Sequence, residues 1–178
     1  MISPFDIVLI LIGLSAVIIG AVSRYVRAII LLIGTYLASV FAGYLYPLFA
    51  KMFSALGHGT AWFDALSFTL FFVGGLLAIY FLSRRYFPDT TLPKLGTLDN
   101  LLGALVGLIL ALLWMAITYG TLNLMVSRPW DPQVNYYHLF NLINLAHLGP
   151  FLRTVLKAYA WLFKPFSWQL GLPAIFVP

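Results

Sequence analysis

Residues 95–111 read LGTLDNLLGALVGLILA, in which a short polar turn becomes an apolar helix. Gly103, Gly107 and Ala111 follow one another at a spacing of four residues. This spacing keeps small residues near one helix face, where a neighbouring helix in lipid can approach closely. Thr97 and Asp99 stand where the helix begins, and a short oxygen-bearing side chain there accepts hydrogen bonds from free backbone amides. The stretch therefore predicts a capped membrane helix with a close helix contact.

The composition of the whole chain agrees with this interpretation. Hydrophobic residues make up 62% of the sequence and charged residues 8%, whereas soluble domains carry about 25% charged residues. We therefore expect an integral membrane protein whose first partner is the lipid bilayer. The net charge of +5 indicates an orientation in the membrane rather than nucleic-acid binding. The absence of cysteine excludes disulfides, iron–sulfur ligation and thiol catalysis.

Four apolar runs predict four transmembrane helices within a domain of residues 1–126. The predicted spans are about 5–23, 28–49, 62–82 and 98–125, each long enough to cross a bilayer. A cleaved signal peptide is the alternative for the first run, since Ala21-Val22-Ser23 resembles a cleavage site. No basic residue precedes that run and Asp6 stands at its start, so we expect a retained span.

Small residues predict how these helices meet. The break between the first two runs is so short that they must form a tight hairpin, and small residues recur on the faces of three spans. The predicted packing residues are Gly13, Ala16, Gly20, Gly34, Ala38, Gly103, Gly107 and Ala111. We expect contacts within one chain, with self-association through Gly103 and Gly107 as the alternative.

Basic residues near the spans predict the orientation. Five lie on one side of the predicted bilayer and two on the other, namely Arg24, Arg27, Arg84, Arg85 and Lys94 against Lys51 and Arg128. Because basic loops favour the cytoplasm, we expect both termini outside it.

Residues 127–178 predict a C-terminal tail with an amphipathic helix at about 150–164. Apolar residues recur there at helical spacing, while Arg153, Lys157 and Lys164 share the opposite face. The helix is too short to span, so we expect it to lie in the membrane interface with Trp161 inserted. A second short helix is expected over 137–147. The predicted fold is all-α, with four transmembrane helices and this interfacial helix.

Candidate reactive groups are few. No two of His58, His138 and His147 stand at metal-ligand spacing, and no charged residue lies in the middle of a predicted span. We therefore expect no catalytic residues, no metal site and no cofactor. Arg24 and Arg27 can contact anionic lipid or an acidic partner segment, or serve only as an orientation signal. Asp99 either pairs with one of these arginines or acts as a simple helix cap.

Two short patterns resemble the colicin V production protein family of bacterial inner-membrane proteins. In the first, an aspartate near the start of the opening helix precedes an Arg-Gly-x-x-Arg-like turn, matched here by Asp6 and Arg24-Tyr25-Val26-Arg27. Tyr25 stands where the family usually has glycine. In the second, an aspartate precedes glycines in the last helix, as in Asp99-Asn100-Leu101-Leu102-Gly103, with Asn100 where a basic residue is common.

The resemblance implies a multi-pass protein of the bacterial inner membrane that takes part in colicin V production or export and in envelope function. We expect a non-enzymatic accessory protein or scaffold that binds another membrane protein. The alternative is a homo-oligomeric channel or a transporter of small solutes. Nucleic acid is not an expected partner.

Overall fold

The computed structural model describes residues 3–55, 61–86, 97–163 and 173–176, and most of these residues are helical with no strand among them. The helices are α1 (Pro4–Ala55), α2 (Ala61–Tyr86), α3 (Thr97–Met125), α4 (Gln133–Asn144) and α5 (Gly149–Trp161), followed by the short 3₁₀ helix η1 (Ala174–Phe176). The all-helical class agrees with the sequence prediction. Lys94 and Lys164, which entered the predictions above, lie outside the described residues.

Three of the described helices are long and apolar enough to cross a membrane, where the sequence predicted four spans. They cover Pro4–Met52, Ala61–Tyr86 and Thr97–Met125. The counts differ because the first two predicted spans follow each other without a loop. Arg24 alone interrupts α1, with a non-helical φ of 62° and ψ of 171°.

The contacts of α3 show that the chain reverses direction at Arg24. A Cβ atom on Gly13 would lie 2.9 Å from the sulfur of Met115, and the indole Nε1 of Trp114 donates to Thr35 Oγ1 at 3.1 Å. In a straight helix Gly13 and Thr35 would lie roughly 33 Å apart. The adjacent residues Trp114 and Met115 of α3 could not contact both of them across that distance. α1 is therefore a hairpin of a first limb, residues 4–23, and a second limb, residues 25–55.

The directions of the helices define two ends of the bundle. The second limb runs parallel to α3, with Tyr25 near Asp99 and Thr35 near Trp114. α2 runs antiparallel to that limb, with Gly75 against Ala38. The Arg24 end holds the hairpin turn, the end of α2 and the start of α3. The Asp6 end holds the start of α1, the start of α2 and the end of α3.

The described C-terminal residues share the core of the long helices. One cluster of buried side chains extends from Phe5 to Phe176 and includes Leu152, Leu156 and Phe163. The described residues of both predicted segments, 1–126 and 127–178, therefore pack against each other.

The apolar face of α5 is covered by other helices of the protein, whereas the predicted interfacial helix would bury that face in lipid. It begins at Gly149 and ends at Trp161, and its buried side chains pack on α3 and η1. Leu156 lies against Gly120, for example. Trp161 stays exposed, as do Arg153 and Lys157 on the polar face. Periodicity located this helix, but it does not distinguish burial against protein from burial in lipid.

Candidate functional site

The Asp99 carboxylate holds the hairpin turn of α1 at the start of α3. Its side chain is 2% exposed, and the Tyr25 N–H donates to Asp99 Oδ1 at 3.0 Å. Tyr25 is the first residue of the second limb, so its amide is one of those that a helix start leaves without an intrahelical partner. Asp99 also stands in the first turn of α3. One buried anion therefore lies where two helix N-termini converge, which is where the helix dipoles favour negative charge.

Glycines bring the first limb into backbone contact with α3 beside this turn. A Cβ atom on Gly103 would lie 2.5 Å from the Gly20 carbonyl oxygen and 2.9 Å from the Arg24 carbonyl carbon. On Gly107 it would lie 3.0 Å from the Val17 Cα. These glycines thus pack within one chain, and the close approach brings Asp99 within reach of the turn.

The other predicted packing residues also lie between helices. Gly34 faces Ile79 of α2, and Ala38 faces Gly75. Ala16 and Ala111 belong to one small buried cluster in which the first limb, the second limb and α3 meet. Of the arginines at the turn, Arg24 is exposed and Arg27 is half-buried.

The Asp6 carboxylate forms a second junction at the other end of the bundle. Its side chain is also 2% exposed, and Oδ2 accepts the Ser3 N–H at 3.1 Å and the His147 N–H at 3.2 Å. The Leu148 N–H donates to Oδ1 at 3.2 Å, and the His147 Nδ1 lies 3.6 Å from Oδ2. Leu148 is the N-cap residue of α5. Asp6 therefore joins the start of α1 to the start of α5, again at two helix N-termini.

Asp6 was absent from the predicted site residues, although the sequence contains a signal for it. Ser3-Pro4-Phe5-Asp6 follows the spacing of a capping box, in which the first and fourth residues bind each other's backbone amides. The Phe5 N–H donates to Ser3 Oγ at 3.3 Å, beside the Ser3 amide bond to Asp6. Proline at the first helical position strengthens this signal. Nothing in the pattern indicates the partners His147 and Leu148.

A set of hydroxyl groups joins α5 to the middle of the second limb. Ser39 Oγ and Tyr159 Oη lie 2.7 Å apart, and the Tyr36 hydroxyl donates to the Leu162 carbonyl at 3.0 Å. Tyr36 lies about 18 Å along its limb from Arg24. Burial raises the pKa of the Tyr159 hydroxyl above its ordinary value, and the Ser39 hydrogen bond opposes that shift. The Tyr159 hydroxyl therefore remains neutral, and hydrogen bonds anchor the end of α5 to the middle of the second limb.

The described helices also line two cavities. One, of about 830 Å³, is a lateral groove between the first limb, α2 and α3. The other, of about 490 Å³, lies beside α3, α5 and η1, and Arg128, Arg153 and Asn123 are among its lining residues. Arg153 Nε donates to the Tyr119 hydroxyl at 3.2 Å at the edge of this second cavity. Within the described ranges no group of three or more His, Asp or Glu side chains is placed to hold a metal ion.

Comparison with known proteins gives one match. The sequence model described as Colicin V production protein matches residues 5–154, a range that includes Asp6, the Arg24 turn, Asp99 and the start of α5 up to residue 154. No curated protein and no solved structure matches the chain significantly.

Proposed function

Because the chain belongs to the Colicin V production protein family, we propose that this multi-pass membrane protein is a non-enzymatic scaffold for toxin production or export, or for a related envelope function. It binds another membrane protein and supplies a rigid helical surface in the bacterial inner membrane.

The observation that carries this proposal is the use of the two buried carboxylates. Asp6 accepts backbone amides from three residues, and Asp99 accepts the first amide of the second limb. Hydrogen bonds to charged groups contribute about 1.5–3 kcal/mol each, so these anions fix helix ends in place. Such roles support a structural task in preference to proton transfer.

We propose further that the chain crosses the membrane four times with both termini outside the cytoplasm. The reversal at Arg24 supports four crossings. The exposed arginines at the same end, Arg24, Arg84 and Arg85, support a cytoplasmic location for that end. Single-cysteine variants test it, since the native chain has no cysteine. An impermeant thiol reagent added to intact cells should label Ser127→Cys and leave Arg85→Cys unlabelled, and the opposite pattern would reverse the orientation.

The surface offered to a partner is the lipid-facing side of α2 around Gly74. A Cβ atom there would meet nothing within 4 Å, and Leu70 and Leu77 beside it are at least half exposed. A small residue on an open lipid-facing helix lets a second helix approach closely.

Native mass spectrometry of the complex extracted with its lipid tests the scaffold proposal. We expect the wild type to retain a second, different protein in fixed stoichiometry, and Gly74→Leu to retain much less of it. Leu108→Phe, on an exposed part of α3, is the matched control and should retain the companion. A homo-oligomer without a companion would overturn the proposal.

The second candidate function is a homo-oligomeric channel or a transporter of small solutes. The cavity of about 490 Å³ favours this function, because Arg128 and Arg153 line the cavity beside α3, a helix long and apolar enough to cross a membrane. Irregular backbone at such depth is tolerated where it is buried in protein or lines a cavity. Purified protein in liposomes should then conduct a small anion, and Arg153→Gln should reduce the flux. Liposomes without any flux would leave the scaffold proposal in place.

A further inference from the structure

The lateral groove has the dimensions of a lipid chain. Its wall on α2 extends from Phe68 to Tyr80, twelve residue steps or about 18 Å. One leaflet supplies about 15 Å of hydrocarbon. Ile18, Val22 and Leu77 line the groove with at least half of each side chain exposed, so the groove opens sideways to the bilayer. An acyl chain that lies along the helices can enter it from one leaflet.

Two arginines lie just beyond the residues that line one end of the groove. Ser23 and Tyr80 line this end, Arg24 follows Ser23 directly, and Arg84 lies one helical turn beyond Tyr80 on the same face of α2. Both guanidinium groups are exposed, and no described residue forms a salt bridge with either. A guanidinium fork matches the geometry of a phosphate group.

Among the described residues, the other charges at this end do not neutralise the arginines. Arg27 and Arg85 add two positive charges on the second limb and α2. Asp99 is the carboxylate that the described residues place here, and it is buried and binds the Tyr25 amide. The mouth of the groove therefore presents a positive surface to the lipid headgroups.

Arg24 occupies its position at a conformational cost. Its φ of 62° and ψ of 171° lie in a region that is essentially restricted to glycine, so any other residue held there is strained. Glycine would adopt this turn without that cost. A strained arginine at the mouth of an apolar groove points to a task for its guanidinium group.

We propose that the groove binds one anionic phospholipid from the leaflet at the Arg24 end. One acyl chain lies between the first limb, α2 and α3, and the phosphate contacts Arg24 and Arg84. The positive charge at the mouth selects the anionic headgroup, and the length of the groove accommodates the chain.

Native mass spectrometry with defined lipids tests the headgroup contact. Protein incubated with equal amounts of phosphatidylglycerol and phosphatidylcholine should retain one molecule of the anionic lipid, at least fivefold in preference to the zwitterionic one. Arg24→Gly and Arg84→Gln should each reduce that preference to about twofold or less. Arg128→Gln, an exposed arginine at the Asp6 end, should leave it unchanged.

Two substitutions on α2 test the chain contact. Val73 lines the groove, and Val73→Trp should abolish retention of the anionic lipid. Leu70 is exposed but does not line the groove, so Leu70→Trp is the matched control and should retain it. Arg24→Gly relieves the backbone strain, so its unfolding temperature should not fall, which separates lost binding from lost folding.

Three outcomes would overturn the proposal. The first is an unchanged lipid preference in both arginine variants. The second is lipid retention by Val73→Trp equal to that by Leu70→Trp. The third is a Val73→Cys disulfide dimer formed quantitatively in membranes, because a second copy would then cover the groove.

Discussion

Replacing Arg24 separates the conformational cost of the hairpin turn from the contribution of its side chain. The variants Arg24→Gly and Arg24→Ala both remove the guanidinium group, but only glycine removes the strain of a φ of 62°. Strain of this kind costs of order 1–3 kcal/mol. Glycine also makes the unfolded chain more flexible, which offsets about 0.4–1 kcal/mol of the gain. We therefore expect Arg24→Gly to be more stable than Arg24→Ala by about 1 kcal/mol.

The adjacent position supplies the matched control. Tyr25 has helical geometry, and the positive φ belongs to Arg24. Tyr25→Gly should therefore be less stable than Tyr25→Ala, by about 1 kcal/mol, because glycine disfavours a helix. The order of the two variants should thus reverse between neighbouring residues.

Thermal unfolding in detergent, followed by tryptophan fluorescence, measures both pairs. A difference of 1 kcal/mol corresponds to roughly 2–4 °C in a protein of this size. If Arg24→Ala unfolds at the same temperature as Arg24→Gly or above it, the strained turn is refuted. If glycine stabilises at position 25 instead, the turn lies where the resemblance to the family suggested it.

Three further substitutions test the junctions and the packing. Asp6→Asn should lower the free energy of unfolding by about 2–4 kcal/mol, since a buried anion that binds three amides is lost. The control Asp131→Asn, at an exposed position, should have no effect in the same thermal assay. Gly103→Leu should prevent recovery of folded protein on size-exclusion chromatography, because its Cβ would lie 2.5 Å from a backbone oxygen, whereas Gly74→Leu should yield monodisperse protein. Tyr159→Phe should lower the free energy of unfolding by about 1 kcal/mol through the lost hydrogen bond to Ser39. Equal unfolding temperatures for this variant and the wild type would show that this hydrogen bond does not anchor α5.

Local chemistry explains which features the sequence predicted. The spacing of Gly103 and Gly107 identified a face for close packing, because small residues act through their position on the helix alone. The apolar periodicity of α5 located that helix for the same reason. In both cases the decisive information lies within a few consecutive residues.

The remaining features depend on contacts between distant residues. Two partners of Asp6, the amides of His147 and Leu148, lie 141 and 142 residues away, and no local pattern specifies such a pairing. The arrangement of Tyr159 beside Ser39, 120 residues earlier, is of the same kind. The turn at Arg24 was predicted as a short loop, but its positive φ was not, because arginine gives no sign of that conformation.

The separation of these partners along the chain has a consequence for synthesis. The hairpin of α1 is synthesised before α3, and the carboxylate that binds the Tyr25 amide follows 74 residues later. The amides of His147 and Leu148 follow the Asp6 carboxylate that binds them by 141 and 142 residues. During this interval the nascent hairpin lacks the carboxylate partner of the Tyr25 amide at one end, and at the other end the Asp6 carboxylate has only the local Ser3 amide. The fold is therefore completed only when the later helices have been synthesised, and a chain that stalls before residue 147 lacks two of the three amides that bind Asp6.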